Sequence, residues 1–476
     1  MMSIDTVRMA GREVLPLVEG GKGVSVSTGI SAGHWAAAGG VGTVSAVNAD
    51  SYDKDGNRIP QTYSGRTRRE RHEELIRYAI EGGITQVRIA REIAGSNGMI
   101  NANLLWEMGG AEQVIEGILD QAPGLIDGLT CGAGMPYRLS EIAARHNVHY
   151  YPIVSSARAF NALWKRAYHK TAELLGAVVY EDPWRAGGHN GLSNTENPLH
   201  PEDPYPRVAA LRKAMNQFGL DSVPIIMAGG VWWLEEWAHW FNNPEIGPIV
   251  FQFGTRPLLT QESPIPEAWK RRLRQLQEGD VYLNRFSPTG FYSSAVNNSF
   301  MMTLRGRSER QVAYSSEPVG EHDTPHGIGA RKREVFMTAA DRAHVLAWEA
   351  AGYTEAMRTP DSTLVFVTPE ESRIIVAEQV ACMGCLSECR FSNWSQRGPN
   401  YTNGAKADPR SFCIQKSLQD IAHVDDSAGQ EMADQVVDHN LMFGGTNAWR
   451  FGSDPFYAGG FTPTVRQLVE QIMTGR

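Results

Sequence analysis

The chain has 476 residues, of which 42% are hydrophobic and 21% charged, and its formal net charge is −8. That balance describes a folded globular chain, too long for one core of ordinary size, and excludes a disordered one. The acidic sign gives no footing for nucleic acid or an anionic membrane, and no apolar run reaches the roughly 18 residues that span a bilayer.

The N-terminal "MMSIDTVRMAGREV" lacks the apolar stretch of a signal peptide, so a cytoplasmic location is expected. "VLPLVEGG" then reads as a strand running into a glycine loop, "AGHWAAAGG" as a short helix, and "GTVSAV" as a second strand. "GGVGTVS" approaches a dinucleotide fingerprint but follows a helix and opens a strand, so it is read as a structural turn. His34 in the short helix is expected to be a helix-start residue rather than a second catalyst. A polar stretch around 49–65 looks like an inserted loop. The segment "RRERHEELIRYAIEGGITQVRIAREIA" has helical periodicity, and its basic run "RTRRERHEE" carries glutamates at helical spacing, the pattern of a solvated face.

Further strands follow at "GMINANLL", "GLIDGLT", "VHYYPIV", "GAVVYE", "VPIIMAGG" and "GPIVFQFG", most of them separated by helical pattern. Repeated strand-then-helix units with apolar strands imply a parallel sheet. Eight units before residue 280 fit an α/β fold of the closed (β/α)8 TIM-barrel type, with a doubly wound open sheet as the alternative. In either fold, ligands gather at the C-terminal ends of the strands, where "EGGKG", "GGHNG", "AGGV" and "FGTR" lie. Residues 1–279 are therefore assigned to the barrel, and 280–476 to a loop-rich and helical C-terminal extension. In the extension, "SPTGFYSSAVNNSFM" reads as loop, "TAADRAHVLAWEAAGYTEAM" as helix, "STLVFVTPEESRIIVAEQVA" as strand then helix, and "TVRQLVEQIM" as a closing amphipathic helix. No internal repeat is evident.

The loops after the last two barrel strands place Gly229, Gly230, Gly254 and Thr255 where backbone N–H groups cradle a phosphate. "EGGKGVSVS", "AAAGGVGTVS", "INANLL", "GAVVYEDPWRAGGHNG", "PIIMAGGV" and "FGTRPLLTQESPIPEAWK" occur in the order seen in the nitronate monooxygenase family, which the chain resembles over nearly its whole length. "SPTGFYSSAVNNSF", "FCIQKSL" and "LMFGGTNAWR" extend the similarity. The resemblance implies an FMN-binding barrel. It places Gly20, Gly21, Lys22, Gly23 and Asn103 near the flavin, with Gly187, Gly188 and Ala228 among the cofactor contacts. It puts the phosphate on Gly229–Gly230 and Gly254–Thr255, and makes His189 the active-site histidine. A flat ring needs close backbone approach, which glycine permits. Trp232, Trp233 and Pro257 depart from the family's usual residues and are read as bearing on substrate identity.

Of the five cysteines, Cys131 stands alone and is assigned to packing. Cys382-x2-Cys385-x3-Cys389, with Cys413 further on, suits a [4Fe–4S] cluster; zinc, or four buried thiols, are the lesser alternatives. The expected function is oxidation of an alkyl nitronate, or a similar small carbanion-type substrate, at FMN with dioxygen. A first alternative is an NAD(P)H-linked reductase, or one fed by an electron-transfer protein, acting on an enoyl or quinone-like acceptor. A second makes the cysteine region a structural metal-binding assembly element. A homo-oligomer is also entertained.

Overall fold

The computed structural model describes residues 4–475. After an N-terminal hairpin, Val7–Met9 with Arg12–Val14, the apolar runs form β1 (Leu17–Glu19), β2 (Val41–Ser45), β3 (Met99–Leu105) and β4 (Gly128–Gly132). They continue as β5 (His149–Val154), β6 (Val178–Glu181), β7 (Ile225–Ala228) and β8 (Ile249–Phe253). These eight strands close into a barrel in sequence order, every neighbour parallel, with β8 beside β1. The fold is a (β/α)8 barrel.

Strand alternation builds two cores. Val18, Val41, Met99, Tyr151, Val179, Ile226 and Val250 fill the barrel interior. Leu17, Val44, Ile100, Leu129, Tyr150, Val178, Ile225 and Phe251 face the surrounding helices. Those helices are α1 (Gly29–Ala37), α2 (Arg68–Ala94), α3 (Ala111–Gln121), α4 (Leu139–His146), α5 (Ala157–Arg166) and α6 (Pro204–Asn216). α2 starts on a capping box, Thr67 with Glu70, which satisfies two backbone donors. Gly82 lets it approach the loop after β2, since a Cβ there would stand 1.8 Å from the Ala49 carbonyl oxygen.

β7 and β8 are followed only by 3-10 turns, Leu234–Trp240 and Arg256–Leu259. The outer layer is completed from far along the chain. The last helix, Val465–Thr474, packs on α1 and buries Val465, Leu468, Val469 and Ile472 in the same core as the barrel strands.

Between β8 and that last helix come α7 (Glu267–Arg274), β9 (Val281–Asn284), β10 (Ser293–Val296) and α8 (Ser299–Glu309). "SPTGFYSSAV", expected as loop, thus includes a strand. β10 is short and serine-rich, so no apolar run announces it. It pairs antiparallel with β9 and with the two-residue strand Gly188–His189.

A small antiparallel sheet follows: β11 (Gln311–Ala313), β14 (Glu355–Arg358) and β15 (Thr363–Val367), with β15 central. Beside it lie the hairpin β12 (Thr324–Ile328) and β13 (Arg333–Met337), with α9 (Ala339–Ala350) and α10 (Pro369–Val380). The helix expected to run past residue 350 stops there, because Gly352 turns the chain at φ +98° and β14 begins at Glu355.

An internal repeat, not evident from the sequence, emerges in this region. "VFMTAADRAHVLAWEAA" (335–351) and "VFVTPEESRIIVAEQVA" (365–381) each give a strand, a threonine N-cap and a helix. Thr338 accepts from Asp341 N–H and Thr368 from Glu371 N–H, and the matched Val345 and Ile375 are each helix's buried residue. The two copies use different cores, which hides the match: Val345 joins Val335, Leu364 and Phe366, whereas Ile375 joins Val365, Val367 and the cysteine region. The chain ends with α11 (Ile414–Ala422), α12 (Gln430–Asp438) and α13 (Val465–Thr474). Among the described residues, no helix is long and apolar enough to cross a membrane.

Candidate functional site

One cavity opens at the C-terminal ends of the barrel strands. Gly20, Gly21, Lys22, Gly23, Asn103, Gly187, Gly188, His189, Ala228, Gly229, Gly230, Gly254 and Thr255 all line it. Its floor is bare backbone laid on side chains: a Cβ on Gly21 would stand 2.3 Å from Asn103 Nδ2. Gly187 meets backbone directly, since its Cβ would lie 2.6 Å from the Gly444 carbonyl carbon. Around Gly23 and Gly254, by contrast, the same test finds open space. Among the described residues, nothing accepts a hydrogen bond from the N–H groups of Gly229, Gly230, Gly254 or Thr255. Unpartnered amides on consecutive loops, facing the cavity, suit an anionic group.

Lys22 occupies the cavity wall differently from a free cation. Its ammonium is paired with Glu19, which also accepts from Ser31, and both charged side chains are buried. Its backbone N–H donates to Ser27 Oγ at 2.6 Å. What Lys22 offers the cavity is therefore mainly its main chain.

His189 is held from the extension. β10 pairs with its backbone, Phe443 packs edge-on at 5.8 Å, and Nε2 lies 2.6 Å from Ser287 Oγ. Ser287 Oγ lies in turn 2.9 Å from Thr289 Oγ1. Nδ1 has no partner among the described residues. The ring's remaining exposed surface faces the cavity, and burial on its other sides pushes its pKa down to about 4. His189 is thus a neutral imidazole at pH 7.

Further lining residues escaped the sequence reading. Glu181 and Gln252 stand on the interior face at the ends of β6 and β8, two residues beyond the core positions Val179 and Val250. A polar residue in phase with interior apolar ones was the available signal. Phe443, Gly444 and Gly445 also line the cavity, with Gly445 N–H donating to Thr255 Oγ1 at 3.1 Å. Ile414 and Leu418 of α11 line the wall contributed by the cysteine region.

Trp232, Trp233 and Pro257, which depart from the family's usual residues, do not line the cavity. Trp232 donates to Asp454 at 2.8 Å, and Arg256 lies within cation–π distance of Trp232, Trp233 and Tyr457 while donating to Gln471. This knot ties the loop after β8 to the end of the chain. His34 lies in the last turn of α1, half exposed, rather than at the helix start. Cys131 is buried in β4, where burial raises its thiol pKa, and it packs in the core outside the cavity.

Cys382, Cys385, Cys389 and Cys413 gather in one apolar cluster with Leu386, Trp394 and Phe412. Burial is the main cause that raises the Cys389 thiol to about 11 and the Cys413 thiol to about 12, and neighbouring thiols push the same way. Among the described residues, no three His, Cys, Asp or Glu side chains stand where a single metal ion could be held. The basic run at the start of α2, expected to face solvent, does so at Arg66, Thr67, Arg69, Glu70 and Glu73 but not at Arg68, Arg71 or His72. Arg68 donates to the Ser392 and Tyr401 carbonyls, Arg71 to those of Cys382 and Val380, and His72 is buried against Trp394. The carbonyls of an irregular segment need donors, and these arginines supply them.

The nitronate monooxygenase family profile matches residues 118–360, just over half of the chain. No curated protein sequence matches. Among solved structures, FabK from Thermotoga maritima is 16% identical with a TM-score of 0.42, over 61% of this chain and 73% of that one. A nitroalkane oxidase from Streptomyces ansochromogenes is 17% identical with a TM-score of 0.43, over 60% of this chain and 78% of that one. With the family profile spanning the β4-to-β8 half of the barrel and the start of the extension, the chain belongs to the nitronate monooxygenase family of FMN-dependent oxidoreductases.

Proposed function

We propose that the protein oxidises a small carbanion-type substrate, an alkyl nitronate or its parent nitroalkane, with FMN in the barrel-mouth cavity and dioxygen as the final acceptor. The observation that carries this reading is the convergence of Gly20–Gly23, Gly187–His189, Gly229–Gly230 and Gly254–Thr255 on one cavity. The residues fit the cofactor: the unpartnered amides of Gly229, Gly230, Gly254 and Thr255 would hold its phosphate, and the glycine floor would admit its ring. Bound FMN supplies two-electron acceptance from substrate. The chain's own part is acid–base and positional. With its hydrogen on Nε2, His189 donates to Ser287 Oγ, which in turn donates to Thr289 Oγ1. Nδ1 is then the base that takes a carbon-bound proton beside the nitro group.

Purified protein is expected to retain flavin absorbance and to consume oxygen when given a nitronate. With a nitroalkane as substrate, His189→Ala should keep the flavin and lose about 10²–10⁴-fold in turnover. Flavin reduction by NAD(P)H without nitronate-driven oxygen uptake would select the reductase reading instead.

The same proposal takes residues 1–279 as the barrel domain, 280–476 as its extension, and the cysteine region as a [4Fe–4S] site. Cys382, Cys385, Cys389 and Cys413 would supply its thiolates. The gathering of all four cysteines in one apolar cluster supports that reading. A [4Fe–4S] cluster carries single electrons, and an electron-transfer protein would be the outside partner. Anaerobic iron and labile-sulfide analysis tests it; zinc, or no metal, would overturn it. The five unpaired cysteines suit the reducing cytoplasm.

A further inference from the structure

A buried hydroxyl stands beside two of the four clustered sulfurs. Ser392 is fully buried, and its Oγ lies 3.1 Å from Cys382 Sγ, the one acceptor it has among the described residues. It also faces the Cys389 sulfur. The Gly384 N–H donates to Cys382 Sγ as well, at 3.4 Å. Backbone N–H groups face the other sulfurs: those of Phe391 and Ser392 face Cys389, that of Gln415 faces Cys385, and that of Lys416 faces Cys413. Gln415 and Lys416 stand in the first turn of α11, where N–H groups have no helical acceptor.

Both donors to Cys382 are fixed by contacts outside the cysteines. Arg68 of α2 donates to the Ser392 carbonyl at 2.8 Å and to Asn393 Oδ1 at 2.9 Å. Gly384 sits at φ +73°, and a Cβ there would stand 2.2 Å from the Trp394 ring, so only glycine lets the backbone turn back toward Cys382 at that point.

A neutral thiol gives these donors little. Its sulfur is a weak acceptor, and a buried hydroxyl with no better partner is costly. A thiolate sulfur carries negative charge and turns the same contact into a charge-assisted hydrogen bond. The donor set therefore fits four anionic sulfurs, the ligands that a [4Fe–4S] cluster needs. Reducing such a cluster adds negative charge that its sulfurs share, so a donor on a sulfur favours the reduced form over the oxidised one. Cys413 runs directly into Ile414, which lines the barrel-mouth cavity with Leu418, so the cysteine site abuts that cavity.

We propose that Ser392 raises the reduction potential of the cluster by donating its hydroxyl hydrogen to the Cys382 sulfur. The inference rests on the cluster reading above and gives a positioning role to a residue that does not line the cavity.

The test is a redox titration of the anaerobically purified, full-length protein, followed by EPR of the reduced cluster. Ser392→Ala should keep its iron, labile sulfide and flavin. Its cluster should be about tenfold harder to reduce, which is a fall in midpoint of about 59 mV for one electron. Ser392→Thr keeps the hydroxyl and should restore the wild-type midpoint. The flavin midpoint should be the same in all three proteins. An unchanged cluster midpoint in Ser392→Ala, or a fall shared by Ser392→Thr, overturns the proposal while leaving the cluster reading intact. Loss of iron from Ser392→Ala would make the side chain part of what holds the site and overturns the tuning role too. Absence of iron and labile sulfide from the wild type overturns the cluster reading and this proposal together.

Discussion

The two glycines before His189 carry different burdens. Gly188 sits at φ +70° with no atom closer than 3.8 Å to an added Cβ, so Gly188→Ala strains only the backbone. That costs about 1–2 kcal/mol. Gly187→Ala must displace the Gly444–Gly445 backbone, 2.6–2.7 Å from the new atom. We expect it to cost more than Gly188→Ala in thermal unfolding and to abolish flavin retention, because the loop carrying Gly445 also bonds Thr255. Ser287→Ala removes the partner of His189 Nε2. One such hydrogen bond is worth about 1.4 kcal/mol, so kcat should fall roughly tenfold with flavin content unchanged; Ser287→Thr, which keeps the hydroxyl, should recover part of the loss. At this scale the glycine motifs were legible in the sequence, because bare backbone at strand ends has few other uses. Glu181, Gln252 and Ser287 were not, since which face a strand-end side chain takes depends on barrel register.

Among the elements, α2 shows how a charged run misleads. Its guanidiniums at 68 and 71 look solvated in sequence because their acceptors are backbone carbonyls more than 300 residues away. Arg71→Met should leave α2 intact and speed proteolysis of the segment around Cys382, with little change in overall unfolding. The repeated strand–cap–helix units predict a matched pair of effects. Thr338→Ala and Thr368→Ala each lose a side-chain cap worth about 1 kcal/mol. The Thr368 change should also disturb the cysteine region, because Val367 and Ile375 pack with Cys382 and Cys389, whereas the Thr338 change should not.

For the whole molecule, α13 completes the barrel's outer layer. Deleting it removes Val465, Leu468, Val469 and Ile472, each 4% exposed or less, and uncovers the core they pack on. At about 1.5–3 kcal/mol per side chain, the loss is on the order of a domain's whole stability, so the truncated chain should not fold to a flavin-binding state. Stability should also depend on pH through the cavity. His189, with a pKa lowered from 6.5 to about 4, contributes stability above pH 6.5 that is lost as pH falls toward 4. Glu181, raised from 4.5 to about 8, contributes stability below pH 4.5 that is lost as pH rises through 8. Their slopes cancel between pH 4.5 and 6.5, and above that the Glu181 decline stands alone, at up to about 1.4 kcal/mol per pH unit. Thermal unfolding of flavin-free protein from pH 6.5 to 8 should show that decline in the wild type and lack it in Glu181→Gln.

The sequence by itself determined the barrel. Its apolar strands and intervening helices are local periodic signals, and the glycine loops fall where parallel strands end. Only the tertiary structure decided what surrounds the cavity. The helix that closes the barrel, the strand that grips His189 and the arginines that hold the cysteine segment all act between residues distant in the chain. Such contacts leave no periodic trace, because their partners are backbone groups or single side chains, positioned only after the barrel has formed.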